Sequence, residues 1–290
     1  VDLARAAAER GARAVVAAGG DGTVHEVANG LLVAAGRSGR VTPLGVVPTG
    51  TGNDFVKTLE GGADRGWVYD ALASNRTRAF DVGRVEWDGA SEYFVNSMGT
   101  GVDVEVVREI ERLPHLPGLV GYLVGLLRGL RRFSPVPLRL RLDGRTLERT
   151  VLIVAVGNGP CLGGGFYLCP GARPDDGRFD LCIVNELGAL QIARTIPRVL
   201  RGTHPRSPGV EIHRARSVEI EARDGGPLAF QLDGELREAP AARRLRIGIE
   251  AGRLPVLAAG LLGQGVSADD GAGRRSGAAR LRGGGGRAGA

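Results

Sequence analysis

The chain has 290 residues, 43% of them hydrophobic, so it is long enough to bury one large core or two smaller ones. The net charge of +6 raises the question of nucleic acid, but beyond residue 261 five arginines against two aspartates carry +3, and the +3 left for the rest argues against a nucleic-acid partner. Three widely spaced cysteines exclude a paired zinc motif and a disulfide framework, which favours a reducing cytoplasm.

The first 60 residues have the pattern of a parallel α/β sheet. Helical spacing over 2–10 and the apolar run 14–18 predict a helix followed by a buried strand. The sequence Gly-Gly-Asp-Gly-Thr at 19–23 comes next, and the apolar spacing of 24–32 predicts another helix. A short strand over 44–47 then leads through a glycine-containing loop to a helix that opens at Phe55. Strands that alternate with helices predict a parallel sheet.

From about residue 79 the segments are typical of half-buried antiparallel strands. Strands are predicted over 80–85, 93–96, 138–142, 151–156, 179–184, 218–220 and 245–249, and helices near 102–113, 119–133 and 190–200. We therefore predict an α/β domain over 1–84, completed by 250–258, and a β-rich domain over 85–249. Residues 259–290 are mostly glycine, alanine, arginine and serine, which predicts a disordered tail.

The glycines at 19–23 lie where a strand is predicted to pass into a helix. Glycines expose backbone N–H groups that can approach a phosphate closely at the positive end of a helix. A nucleotide phosphate is the natural ligand, and Asp21 then indicates either an intervening Mg²⁺ or an acid that shapes the turn. A plain Asp-Gly turn is the structural alternative.

A second glycine-containing loop, 48–55, follows the next strand. Thr51, Asn53 and Asp54 would lie at the carboxyl end of that strand, where open α/β sheets bind ligands. As an alternative, Asn53 or Asp54 only caps the helix that opens at Phe55.

Two carboxylates separated by one glycine, Asp233 and Glu235, end an apolar segment near the end of the chain. Taken alone, Asp-Gly is a hairpin turn. In a phosphotransferase, one acid can take the proton of the attacking hydroxyl while a second acid orients the first or helps to hold a metal.

The chain opens without a leader pattern, and no stretch approaches the roughly 20 apolar residues of a membrane-spanning helix. The segment 116–133 combines leucines with Arg128, Arg131 and Arg132. It either lies on an anionic membrane or shapes a lipid pocket, or its leucines face the core while its arginines complement the helix dipole.

In this order the motifs resemble the diacylglycerol kinase catalytic-domain family, which includes bacterial multisubstrate lipid kinases and sphingosine kinases. They are the 19–23 and 48–55 loops, Asp81, the glycines 163–165, the Asp-Asp-Gly at 175–177 and the Asp-Gly-Glu at 233–235. The resemblance covers about 1–258. It implies a parallel sheet like that of NAD kinases and lipid kinases, packed against a β-rich, sandwich-like domain, with the active site in the cleft between the two.

The resemblance also implies a role for each matching residue. Asp233 would be the general base and Glu235 its companion acid, and Asp21, Asp54 and Asp81 would organise a catalytic Mg²⁺ and water. A structural Mg²⁺ would bind the Asp176 side chain and the carbonyls of Arg173 and Arg178. The residues expected to bind ATP with its Mg²⁺ are Gly19, Gly20, Asp21, Gly22, Thr23, Val24, His25, Thr51, Asn53, Asp54 and Asp81. His25 stands where the family often has asparagine.

The implied activity is ATP-dependent phosphorylation of a lipid hydroxyl, with diacylglycerol as the first expectation. A sphingoid base, phosphatidylglycerol and a polyprenol are alternative acceptors. We expect a cytoplasmic enzyme that is peripheral to the inner face of the membrane, for which a homodimer is one allowed assembly. Family members usually begin with a further strand and glycine-containing loop, so we expect part of the ATP domain to be missing. The alternatives are an NAD kinase, which shares the Gly-Gly-Asp-Gly-Thr loop, and a non-catalytic nucleotide- or lipid-binding member.

Overall fold

The computed structural model describes residues 1–59, 70–71, 73, 76–112, 118–239 and 241–258. The predicted tail lies outside the described residues. The α/β unit begins with α1 (Asp2–Glu9), β1 (Val15–Gly19), α2 (Asp21–Ser38) and β2 (Leu44–Pro48). β1 and β2 are parallel neighbours, as the alternation of strands and helices predicts. One turn of 3₁₀ helix, Phe55–Thr58, follows.

The β-rich part contains three helices on one side of its strands. The helices are α3 (Val102–Glu111), α4 (Gly118–Arg132) and α5 (Ala189–Leu200), close to their predicted bounds. The strands are β3 (Thr77–Trp87), β4 (Ala90–Phe94), β5 (Ser97–Gly101), β6 (Val136–Leu142), β7 (Arg145–Gly157), β8 (Phe179–Asn185), β9 (Val210–Ala215), β10 (Ser217–Ala222), β11 (Phe230–Leu232), β12 (Glu235–Arg237) and β13 (Arg244–Leu257).

Two long strands, β3 and β13, run through both units and join them in one hydrogen-bonded network. The central order is β1-β2-β13-β10-β6-β7-β5-β11-β12. Off this path, β3 pairs with β13 and β4 with β3, and β8 pairs with β7 and β9 with β8. Near its end β13 pairs in parallel with β2, through Val256 and Leu44, whereas its first half pairs antiparallel with β10. The domain bounds stay predictions, because β3 and β13 belong to both units.

Each unit has its own apolar core. In β6 the leucines 138, 140 and 142 point inward while Arg139 and Arg141 face solvent, the alternation that a half-buried strand requires. The core of the β-rich unit includes Phe94 stacked on Phe179, with ring centroids 5.5 Å apart. The core of the α/β unit lies between α2 and β2 and includes Leu31 and Leu44. Each wall of the cleft therefore has a packed apolar core behind it.

One predicted strand is wrong in a way that matters for the site. Residues 93–96 were expected to form one strand, but β4 ends at Phe94 and β5 begins at Ser97. The backbone N–H groups of Val95, Asn96 and Ser97 bind the carboxylate of Asp233 instead. A carboxylate 136 to 138 residues away thus breaks the strand.

Helix α4 has two arginines in ion pairs and an exposed apolar face. Arg128 and Arg132 bind Glu109 of α3, which is buried, so these two arginines have a structural role. Leu119, Val120 and Leu127 are between 42% and 50% exposed, so one face of the helix is apolar and open to solvent. No helix in the described part of the chain is long and apolar enough to cross a membrane.

Candidate active site

A cavity of about 340 Å³ lies where the two glycine-containing loops of the α/β unit meet the turn after β11. Seven of the predicted site residues line it, and they come from three separate stretches of the chain. They are Gly20, Asp21, Gly22, Thr51, Asp54, Asp233 and Glu235.

The two loops touch each other through their backbones. Helix α2 begins at Asp21, and a Cβ on Gly50 would overlap the Cα of Gly20, so only glycine permits this approach. A Cβ on Gly22 would lie 2.5 Å from a carboxylate oxygen of Glu235, which places Glu235 against the first turn of α2. The first N–H groups of a helix, free of side chains, form a phosphate-binding surface.

Two acids, Asp21 and Asp54, face this surface. Burial and the neighbouring Asp54 raise the pKa of Asp21. Asp54 accepts hydrogen bonds from the Lys57 ammonium at 2.6 Å and from the N–H of Gly164 at 2.7 Å. Two carboxylates that repel each other in a buried site are a donor set that a divalent cation would neutralise, so these residues fit a catalytic Mg²⁺.

The structural alternative for this loop, a cap by Asn53 or Asp54, does not hold, because the 3₁₀ turn has no side-chain cap hydrogen bond. Asp21 accepts the N–H of Phe55 at 3.0 Å and thereby binds the start of the 3₁₀ turn from the other loop. Asn53 adopts a left-handed φ of 49° and exchanges hydrogen bonds with Gly50, so it shapes its own loop.

Asp233 is buried and reaches the cleft on a turn with a left-handed φ of 53°. Its Oδ1 accepts the N–H groups of Asn96 and Ser97, and its Oδ2 accepts that of Val95, at 2.8 to 2.9 Å. His25 Nδ1 lies 2.9 Å from the same Oδ2. Three backbone donors of the β4–β5 break and the His25 ring on α2 therefore fix the orientation of this carboxylate.

The side chain of His25 does not line the cavity, and the ATP contact expected at this position stays a prediction. It is buried between Asp233 and Glu92, whose Oε1 lies 2.9 Å from Nε2. Burial alone would lower the pKa of His25, but the hydrogen bonds and charges of Asp233 and Glu92 raise it to about 9. Burial opposes the ionisation of Glu92, but Arg237 and His25 prevail and lower its pKa to about 2.

Other predicted ATP-binding side chains also lie away from the cavity. Val24 packs in the apolar core of the α/β unit, and Thr23 packs against Gly19. Asp81 is buried and accepts the N–H groups of Gly177 and Gly252, both at 2.7 Å. It holds the 174–177 loop on the sheet and does not line the cleft.

The predicted structural Mg²⁺ does not fit the loop as it is folded. Oδ1 of Asp176 accepts the N–H of Arg178, and Oδ2 binds the guanidinium of Arg214. Arg214 also lies 3.5 Å from Asp180 and so supplies the positive charge at this point. Among the described residues, no three or more His, Cys, Asp or Glu side chains are grouped to hold a metal.

The sequence analysis did not identify a buried polar cluster on the far wall of the cleft. Asp103 of α3 accepts Tyr122 Oη at 2.9 Å and Gln231 Nε2 at 2.8 Å, and burial raises its pKa. Gln231 in turn accepts the N–H of Gly234 at 2.7 Å and so supports the Asp233 turn. The signal in the sequence was weak, because Asp103 stands among valines in an ordinary helical pattern.

A phosphate-binding helix start, a pair of acids and a fixed carboxylate on the opposite wall define a site of the phosphotransferase class. The chain agrees with two family models in succession. Residues 1–85 match the diacylglycerol kinase catalytic domain, and residues 96–257 match the YegS C-terminal NAD kinase beta sandwich-like domain.

Curated relatives extend over most of the chain. A protein of Mycobacterium tuberculosis named diacylglycerol kinase is 32% identical over 248 residues, which are 83% of this chain and 78% of that one. The diacylglycerol kinase of Bacillus subtilis is 30% identical, over 80% of this chain and 74% of its own length. A probable lipid kinase YegS-like of Stenotrophomonas maltophilia is also 30% identical, over 86% and 79% respectively.

This chain therefore belongs to the diacylglycerol kinase family, and it is a kinase of the lipid kinase branch, as its motifs predict. The fold agrees with a solved structure from Bacillus anthracis, described as a putative diacylglycerol kinase, at a TM-score of 0.70 and 23% identity. The superposition covers 89% of this chain and 81% of that one. The prediction of an α/β unit beside a sandwich-like unit is confirmed.

Proposed function

We propose that this protein transfers the γ-phosphate of ATP to the hydroxyl of diacylglycerol and forms phosphatidic acid. The observation that carries this proposal is the position of Asp233, a buried carboxylate fixed by four donors opposite the glycine loops. Relatives named diacylglycerol kinase support the choice of acceptor.

The glycine loops and the first turn of α2 would bind the phosphates of ATP. Gly20, Gly22 and Gly50 line the cavity and would present backbone N–H groups to the phosphates, and Thr51 adds a hydroxyl on the same wall. Asp21 and Asp54 would hold Mg²⁺, which when bound neutralises charge on the phosphates.

Asp233 would then act on the acceptor. A bond forms between the acceptor oxygen and the γ-phosphorus while the bond from that phosphorus to the ADP oxygen breaks. The hydroxyl proton passes to Asp233, which gives up one of its four hydrogen bonds to receive it. Glu235, beside Gly22, would orient the acceptor or Asp233 from the same turn. Tyr122 and Ile110 add apolar surface to the cavity, which suits the glycerol and acyl portions of a lipid.

We also infer that the enzyme works as a peripheral protein on the inner face of the membrane. The support is the exposed apolar face of α4, next to the arginines at its carboxyl end.

A panel of acceptors tests the proposed substrate. Labelled ATP with Mg²⁺ is supplied to the protein with vesicles that contain diacylglycerol, a sphingoid base, phosphatidylglycerol or a polyprenol, and separately with NAD. We expect the label in phosphatidic acid, and Asp233→Asn made from the same preparation controls for contaminating kinases. Label in another lipid would overturn the acceptor alone, whereas label only in NAD, or in nothing, would overturn the lipid kinase assignment.

A further inference from the structure

His25 is buried behind the proposed base, on the side away from the cleft. Its Nδ1 lies 2.9 Å from Asp233 Oδ2, and its Nε2 lies 2.9 Å from Glu92 Oε1. A neutral imidazole has one donor and one acceptor nitrogen, so two carboxylates at hydrogen-bond distance are both satisfied only by the doubly protonated ring. The geometry is that of an imidazolium between two anions.

Arg237 and Asn29 hold Glu92 and helix α2 in this arrangement. Arg237 binds both oxygens of Glu92, with Nε at 2.6 Å from Oε2, and so holds Glu92 in place. Arg237 Nη2 also lies 3.1 Å from His25 Nε2, so that two donor nitrogens face each other when the ring is protonated. Glu92 lies closer to both groups and determines the position of the Arg237 guanidinium. Asn29, one helical turn along α2, donates to the carbonyls of His25 and Tyr93 and ties α2 to β4.

The four donors to Asp233 are not equivalent. Three are backbone N–H groups of the break between β4 and β5, which supply orientation but no net charge. His25 is the donor that carries a charge, and a cation next to a carboxylate favours its ionised form. The groups that face His25 from α2, β4 and the β11–β12 turn are Asn29, Glu92, Asp233 and Arg237.

We propose that His25 is a positioning residue which, as an imidazolium clamped by Glu92 and Arg237, holds Asp233 in its catalytic orientation. This rests on the proposed function, in which Asp233 receives the proton of the acceptor. The proposal gives the His25 side chain a positioning role, whereas the resemblance implied an ATP contact at this position.

Three substitutions separate charge from shape. His25→Asn keeps an amide donor near the place of Nδ1 but removes the charge, whereas His25→Leu removes both. Glu92→Gln keeps an acceptor for Nε2 and removes only the anion that holds the ring protonated. The matched control is His213→Asn, because His213 also pairs with a carboxylate, that of Glu211 at 3.2 Å, on β9 and outside the cleft.

The first readout is independent of activity. NMR titration of the ring nitrogens, with the His25 signal assigned by its loss in His25→Asn, should show His25 protonated up to about pH 9. In Glu92→Gln and in Asp233→Asn its titration should move down by about one unit or more, because each change removes an adjacent anion. A His25 signal that titrates near pH 6.5 and ignores both changes would overturn the proposal.

The second readout is kcat and KM for lipid phosphorylation, measured separately. In His25→Leu kcat should fall by up to about a hundredfold with the KM for the lipid unchanged, because the base loses its orientation, and His25→Asn and Glu92→Gln should lose less. His213→Asn should follow the unaltered enzyme. If folded His25→Leu has the unaltered kcat, or if kcat and KM change together, the role of His25 is structural only and the proposal fails. If Asp233→Asn stays active while the NMR coupling holds, the role of Asp233 as the base fails instead.

Discussion

At the scale of single residues, glycine is required in the two loops because the backbone of one loop contacts the backbone of the other. Gly20 and Gly50 touch, and Gly22 leaves room for Glu235. None of these three has a left-handed φ, so the requirement for glycine comes from contact and not from conformation. The local sequence indicated a phosphate site but could not reveal which glycine meets which loop.

We predict that Gly50→Ala impairs ATP binding without unfolding the protein. The added Cβ would overlap Gly20 and must push the loops apart, and a displacement near 1 Å can cost about a hundredfold in rate. The measurement is the KM for ATP together with the melting temperature.

Gly36→Ala is the matched control for this change. Gly36 lies in α2 with nothing within 4 Å of an added Cβ, so alanine there should leave the KM unchanged and stabilise the helix by up to about 1 kcal/mol. An unaltered KM for ATP in Gly50→Ala would contradict the role assigned to the loop contact.

At the scale of elements, the long periodic segments could be predicted and the short irregular ones could not. Helices α3, α4 and α5 each repeat apolar residues at helical spacing over ten residues or more, and they lie close to their predicted bounds. Strands β11 and β12 have three residues each and offer almost no period. The break after β4 depends on Asp233, which no local pattern contains.

The exposed face of α4 carries a prediction about the membrane. Leu127→Gln, at a position 50% exposed, should weaken binding to phosphatidylglycerol vesicles by a few-fold, because burial of one large apolar side chain contributes about 1.5 to 3 kcal/mol when complete. Sedimentation with vesicles measures the fraction of each protein that is bound.

Val33→Gln is the comparison, since Val33 is 44% exposed on α2, another helix. Activity on a short-chain, water-soluble acceptor should be the same in both variants. Equal vesicle binding by Leu127→Gln and the unaltered protein would show that α4 is not the membrane face.

At the scale of the whole molecule, the cleft exists because β3 and β13 carry the two units as one sheet network. The α/β unit supplies Asp21 and the glycine loops, and the β-rich unit supplies Asp233 with its three backbone donors. The resemblance to a family predicted that these motifs meet in a cleft. It did not show which contacts the neighbouring side chains make. His25 contacts Asp233, and Asp81 binds the 174–177 loop. Asp103 lines the site although it was not predicted.

The most direct test of this account measures the transfer of labelled phosphate from ATP with Mg²⁺ to micellar diacylglycerol by the unaltered protein and by Asp233→Asn. Asp143→Asn is the control, because Asp143 also has a left-handed φ, of 46°, and accepts two consecutive backbone N–H groups on the surface. We predict that kcat falls by about 10² to 10⁴-fold in Asp233→Asn and is unchanged in Asp143→Asn, with both variants folded. A folded Asp233→Asn that phosphorylates diacylglycerol at the unaltered rate would contradict the assignment of Asp233 as the base.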